Sequence, residues 1–376
     1  MSGESVTLSL CGDVMLGRGV DQILPHPGRP ELREGHTRHA GDYVRLAEAR
    51  SGPVPAPAGF LWPWGDALQT LDAFCPDVRV VNLETSVTSS EAFAPGKGIH
   101  YRMAPANVPC LAAARPDVCV LANNHVMDFG VPGLEETLDV LAGAGLRTAG
   151  AGRDLEQARS PAVVPLAGGG RRRRVLTFAM GTPSSGVPGS WAATEDRPGV
   201  DLVAVLSDSS AAEVSRRVRR LRRPGDVVVV SVHWGSNWGY EVPHEQTRFA
   251  HALIDGGGVD VVHGHSSHHP RPVEVYRGKL VLYGCGDFID DYEGISGFEQ
   301  YRDDLRLLYL ATVEAETGRL ARLRAAPFRA SRLRLHHAPA ADVEWLRAVL
   351  GDISRDFGVR VTADEDAVLT LEAAHR

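Results

Sequence analysis

Short apolar runs that stop at carboxylate, amide and imidazole side chains recur along this chain and constrain its fold more than any other feature. The stretch from Val6 to Cys11 runs straight into Gly12-Asp13. Val78 to Leu83 ends in Asn82-Leu83-Glu84-Thr85, and Val118 to Ala122 in Asn123-Asn124-His125. Further on, Val227 to Val232 ends in His233-Trp234-Gly235, and Val259 to Val262 in His263-Gly264-His265. Runs this short and β-branched read as buried strands. Polar groups just past their carboxyl ends lie where open α/β sheets place ligands.

Helical patterns separate these strands. Apolar spacing from Gly133 to Ala144, with Gly145 as C-cap and a strand from Arg147, makes a βαβ alternation, and a second helix is expected near Glu245 to Asp255. Two hairpins follow: Val273 to Tyr276 with Leu280 to Tyr283 across Arg277-Gly278, then Leu307 to Glu314 with Leu320 to Pro327. Parallel strands first and hairpins later predict an α/β fold of two mixed sheets packed face to face with helices outside, a four-layer α/β/β/α sandwich. One domain over residues 1–335 is expected, with an insertion at about 25–60 near the site entrance and a C-terminal extension over 336–376. Gly168 to Arg174, with its glycines and arginines, reads as a hairpin tip.

A net charge of -7 gives no general pull toward nucleic acid or an anionic membrane. The N-terminus has no basic and apolar signal pattern, and no stretch reaches the roughly 18 apolar residues of a spanning helix. A cytoplasmic protein is the expectation. Cys11, Cys75, Cys110, Cys119 and Cys285 form no C-x-x-C pair, so free thiols are expected rather than disulfides or a zinc-thiolate site.

The residues gathered at strand ends are Asp13, Glu84, Asn124, His125, His233, His263, His265, His268 and Asp287. Carboxylates, an amide oxygen and imidazoles are the ligand mixture for a hard or borderline divalent ion, which points to Ca, Mn, Mg or Zn. Trp234, Trp238 and Tyr240 follow a ligand candidate closely and predict an aromatic wall, better suited to a peptide or an apolar side chain than to a bare phosphate. Arg18 and Arg102 are either clamps for an anionic substrate group or solvated surface arginines. His263 and Asp287 form either an acid/base pair or a buried hydrogen bond. Asp290, Asp291 and Glu293 add negative charge nearby or form a solvated turn.

The order Asp, Asn-Leu-Glu, Asn-Asn-His, His-Trp-Gly, Gly-His-x-x-His resembles the ligand series of calcineurin-like metallophosphoesterases. The stretches GDVMLGR (12–18), VNLETSVT (81–88), LANNHVMDFG (121–130), GLRTAGAG (145–152), SVHWG (231–235) and PVEVYRGKLVLYGCGDF (272–288) resemble the CapA family of capsule and poly-γ-glutamate synthesis proteins. The resemblance spans residues 6–335 and implies a metal centre at the rim between the two sheets. It implies Asp13 and Glu84 as carboxylate ligands, Glu84 as a bridge if two ions bind, Asn124 as an amide ligand, and His233 and His265 as imidazole ligands. His268 joins the candidate ligands as the last histidine of the Gly-His-x-x-His series. His125 resembles the superfamily's general acid, with a supporting histidine beside the ligands as the other reading.

Two departures carry weight. Asp13-Val14-Met15 stands where phosphoesterases carry Asp-x-His, so one firmly bound ion is expected, with any second weak. Gly286-Asp287-Phe288 stands where the family commonly shows Gly-Asn-Phe. The expected function is metal-assisted acid/base chemistry on a peptide-like substrate. That covers Cα epimerisation, as in the lasso-peptide epimerases that resemble soluble relatives, and amide or γ-glutamyl processing. A phosphoesterase and a non-catalytic subunit of polymer synthesis are the alternatives.

Overall fold

The strand Val227–His233 shows why the chain folds in layers. Its residues are all buried, and alternate ones enter different cores. Val227 and Val229 pack between the sheets with Val6, Leu8 and Leu10, whereas Val228, Val230 and Val232 turn outward against the helices Asp208–Leu221 and His244–Asp255. A strand apolar on both faces must be covered on both.

The computed structural model describes residues 5–166 and 173–374. Among them the larger sheet has ten strands, and its main path runs Val359–Ala363, Leu369–Ala373, Leu320–Ala330, Leu305–Glu314, Ser5–Val14, Val78–Leu83, Val118–Val120, Arg147–Ala149. The smaller runs Val273–Tyr276, Lys279–Leu282, Val261–His265, Val227–His233, Arg174–Gly181, Ala162–Pro165. Both sheets are mixed, with parallel pairing near the site and antiparallel pairs at three of the four edges. The helices Ala67–Phe74, Val108–Ala112 and Gly130–Gly143 cover the outer face of the larger sheet through Leu71, Cys110 and Leu138. The α/β/β/α sandwich is thus in place.

The helix predicted from Gly133 starts one turn earlier, at Gly130, and Gly145 follows it at a φ of 73°. The predicted hairpin around Gly168 to Arg174 has its two flanking strands paired antiparallel, and residues 167–172 lie outside the described residues. The segment after residue 335 supplies the helix Ala340–Ile353 and two strands, and the last strand pairs with Leu320–Ala330. Leu346, Leu369 and Leu371 enter the inter-sheet core, so this segment widens the same sheet. The segment at 25–60 carries the helix Gly41–Ser51, whose Ala47 packs with Ile23, Ala58 and Leu333. All five cysteines are free, and all but Cys75 are buried. No helix among the described residues is long and apolar enough to cross a membrane.

Candidate metal centre

Strand register builds the site. In the larger sheet Asp13 is the partner of Asp287 on one side and of Asn82 on the other. In the smaller sheet His233 is the partner of His265. An acidic row and an imidazole row thereby meet at one rim. The approach of the first strand to the 285–287 segment requires glycine: a Cβ on Gly12 would lie 1.6 Å from the Gly286 carbonyl oxygen.

Asp13, His233 and His265 come within ligand range of one another, all three buried. The His265 Nε2 lies 2.8 Å from the Ser231 hydroxyl and the His233 Nε2 3.0 Å from the Asn124 Oδ1. The two Nδ1 atoms meet at 2.8 Å, where one ring can donate to the other or both can face a cation. The Asp13 Oδ1 lies 3.8 Å from the His265 Nδ1, and Ser266, at the strained φ of 106°, turns its N–H toward the Asp13 Oδ2 at 3.3 Å. Glu84 stands 3.7 Å from the His233 Nε2. The Asn82 amide donates to both Asp13 (2.7 Å) and Glu84 (3.0 Å) and holds the two carboxylates side by side. Burial, then the neighbouring Asp287 charge, pushes Asp13 up to about 7; burial and the Asp13 charge raise Glu84 as well. Burial holds both His233 and His265 well below the ordinary imidazole range. Crowded buried carboxylates facing neutral imidazoles are a donor set that a divalent ion fits.

His125 sits beside this group with its Nε2 3.9 Å from Glu84. Its Nδ1 lies 2.6 Å from Asp128, so it donates there. Asp128 also accepts the Tyr101 backbone N–H at 2.7 Å and pairs with Lys97. The Tyr101 ring packs edge-on against the His125 ring at 4.7 Å. Burial outweighs Asp128 and lowers His125 to about 4. Asn123 supports this loop: its Oδ1 accepts the N–H of His125 and of Val126, and its amide donates to Asn82 and Leu83. Asn82, Lys97, Asn123 and Asp128 had no assigned role in the sequence. The His125-x-x-Asp128 spacing is the one signal that points to a partnered histidine.

Other expected site residues lie elsewhere. His263 does not pair with Asp287; it bonds the Cys11 carbonyl at 2.9 Å and Ser231 at 3.1 Å, a buried structural role. His268 takes Asp287 instead, with Nδ1 3.0 Å from both carboxylate oxygens, and stands outside the Asp13, His233, His265 group. Burial opposes charge on both, yet their attraction raises His268 and lowers Asp287. Met15 is fully buried beneath the Tyr292 hydroxyl, 3.9 Å from its sulfur. Trp234 is not a wall of the site: it is core, donating to the Tyr283 carbonyl at 2.9 Å. Trp238 and Tyr240 do form an aromatic cluster at the rim, with His269 and Tyr301, and Trp238 stacks on Phe298 at 3.9 Å.

Arg18 is neither a solvated arginine nor a free clamp. It is buried, with its Nε 3.1 Å from Asp291 and one amine 3.0 Å from both Glu34 and Tyr43. Its donors are spent inside the protein, which also removes Asp291 from any solvated turn. Asp290 is likewise buried, paired with Arg306. Arg102 is half-buried, donating to the Ser90 and Arg29 carbonyls over the Phe129 ring.

The sandwich and its rim of acidic and imidazole groups define a calcineurin-like fold with the makings of a metal centre. The family model of the bacterial capsule synthesis protein PGA_cap matches residues 7–292, and the chain belongs to that family. A probable polyglutamine synthesis accessory protein of Mycobacterium tuberculosis is 53% identical over 372 residues, covering 99% of this chain and 97% of that one. The PGA biosynthesis protein CapA of Bacillus subtilis is 26% identical over 390 residues (100% and 84%). The capsule biosynthesis protein CapA of Bacillus anthracis is 25% identical over 306 residues (81% and 64%). Among solved structures, a novel phosphatase of Mycoplasma pneumoniae covers 86% of this chain and 94% of its own at 12% identity, with a TM-score of 0.44.

Proposed function

We propose that this protein is a metal-dependent enzyme that uses acid/base chemistry at an amide or Cα position of a peptide-like substrate. The observation that carries the reading is the His125–Asp128 pair. A metal kept only for structure needs no histidine whose Nδ1 is tied to a carboxylate at 2.6 Å while its Nε2 points toward Glu84 from just outside the ligand group. That orientation suits Nε2 to accept a proton from a reacting group and return it. Asp13, Glu84, Asn124, His233 and His265 would hold a divalent ion, which would supply Lewis acidity at a carbonyl. Asn82 holds the two carboxylates in register, and Lys97 and Tyr101 hold Asp128 against the histidine.

The names of the relatives support a second reading, in which the protein is a non-catalytic accessory of polymer synthesis in the cell. One experiment separates the two. The purified protein, analysed for metal, is incubated in deuterated water with γ-glutamyl and α-linked peptides and followed by mass spectrometry. Gain of one water marks amide cleavage, and deuterium at a Cα marks proton exchange. Neither product from metal-loaded protein, together with full biological function of His125→Ala in cells, would favour the accessory role.

A further inference from the structure

Between the insertion and the segment after Asp291 lies a groove of about 660 Å³, in the size range of ligand pockets. The helix Gly41–Ser51 supplies one wall through Tyr43 and Leu46, and the segment after Asp291 supplies the other through Tyr292 and Ile295. Ile99 lines it from a third side. Leu46 and Ile295 are about 40% exposed, large apolar side chains that line the same groove. One layer of buried side chains separates the groove from the centre and packs against both. Tyr292 meets the His268 ring edge-on at 5.1 Å, and Arg18, which lines the groove, lies 4.2 Å from the Tyr101 ring that packs on His125 at 4.7 Å.

The charges in the groove are already paired. Arg18 lies against the Tyr43 and Tyr101 rings, at 3.8 and 4.2 Å, with Asp291 and Glu34 on its guanidinium. Arg45 pairs with Asp42. His36 sits 2.9 Å from the Tyr43 hydroxyl and 3.4 Å from Glu34. The remaining polar lining, Thr37 and Ser296, is uncharged. A carboxylate-bearing polymer entering here would lose hydration and meet only cations that already face a carboxylate, whereas an aliphatic or aromatic side chain would bury apolar surface against aromatic and branched walls.

We infer that this groove takes an uncharged, apolar segment of the substrate next to its reacting group, so that the preferred substrate is a peptide with an aliphatic or aromatic residue there rather than a run of glutamates. The inference rests on the peptide-like reading of the centre. Its test measures binding, with the full chain as purified and two probes, acetyl-leucyl-phenylalanine amide and tri-γ-glutamate, in a calorimetric titration. The apolar probe is expected to bind at least ten times more tightly than tri-γ-glutamate. Leu46→Asp and Ile295→Asp, both surface changes, are each expected to weaken it at least fivefold with metal content and thermal unfolding unchanged. Equal or tighter binding of tri-γ-glutamate, no detectable binding of the apolar probe, or unaltered affinity in both variants overturns the inference. Loss of the catalytic reading shows up separately, as absent metal or absent turnover in a protein that still binds the apolar probe.

Discussion

At the scale of single residues, His125 and Glu84 divide the labour of the centre. His125 is anchored by Asp128, and its Nε2 stands 3.9 Å from Glu84, so loss of its side chain should leave the donor set whole. His125→Ala is expected to retain metal and lose roughly two orders of magnitude or more in turnover, the scale of general acid/base loss; wild-type rates would make the residue a packing element. Glu84→Ala and His233→Ala are expected to lose both metal and activity, checked by elemental analysis, and near-stoichiometric metal in both would remove them from the ligand set. Residues such as these were legible because a polar group ending a β-branched run has few reasons to be there other than a site. The partners were not. His268 and Asp287 are 19 positions apart, and Arg18 and Asp291 273 apart, and only the folded chain reveals such pairings. Trp234 shows the converse error: proximity to His233 suggested a wall, but a strand alternates its faces, and the next residue turned into the core.

At the scale of elements, the rim depends on two strands passing closer than side chains allow. Gly12→Ala would drive a Cβ into the Gly286 backbone, where no side chain can swing aside. It is expected to cost about 3 kcal/mol or more, at the upper end for overpacked sites, or to prevent soluble expression, and urea unfolding measures it. The insertion hangs on a second device. Arg18 has the left-handed φ of 48°, and its guanidinium joins Glu34 and Tyr43 of the insertion to Asp291 beyond the Asp287–Ile289 strand. Arg18→Ala leaves two buried carboxylates without their cation, a loss of about 3–5 kcal/mol, and is expected to expose the 25–60 segment to limited proteolysis. The two helices and the hairpins expected from periodicity and turn residues were read closely, whereas Asp208–Leu221 and the helices near the insertion were not. The pairing of the last strand was not, because the alternation in Leu369–Ala373 records which face is buried but not which neighbour it adds to.

For the whole molecule, the question is how tightly an ion is coupled to the fold. Asp13, His233 and His265 lie on separate strands and Glu84 just past the end of a fourth, in both sheets together, so an ion held by them ties the two layers together at the rim. An ion present at a hundred times its dissociation constant adds about 2.7 kcal/mol to stability. Unfolding entropy of roughly 2.1 cal/mol/K per residue gives about 0.8 kcal/mol/K for the chain, so chelation is expected to lower Tm by about 3–4 °C. Manganese or calcium should restore it, and Glu84→Ala should show no shift in either direction. Calorimetric titration of the chelated protein is expected to show one tight class of site, because Met15 is sealed under Tyr292 and offers no imidazole for a second. With a single ion, in-line displacement at phosphorus lacks the clamp on attacking and leaving oxygens that two ions about 3.5–4 Å apart provide, so nitrophenyl phosphate should turn over poorly. Two tight sites together with rapid phosphoester hydrolysis would place the chain with the phosphatases of its fold and displace the peptide-directed reading.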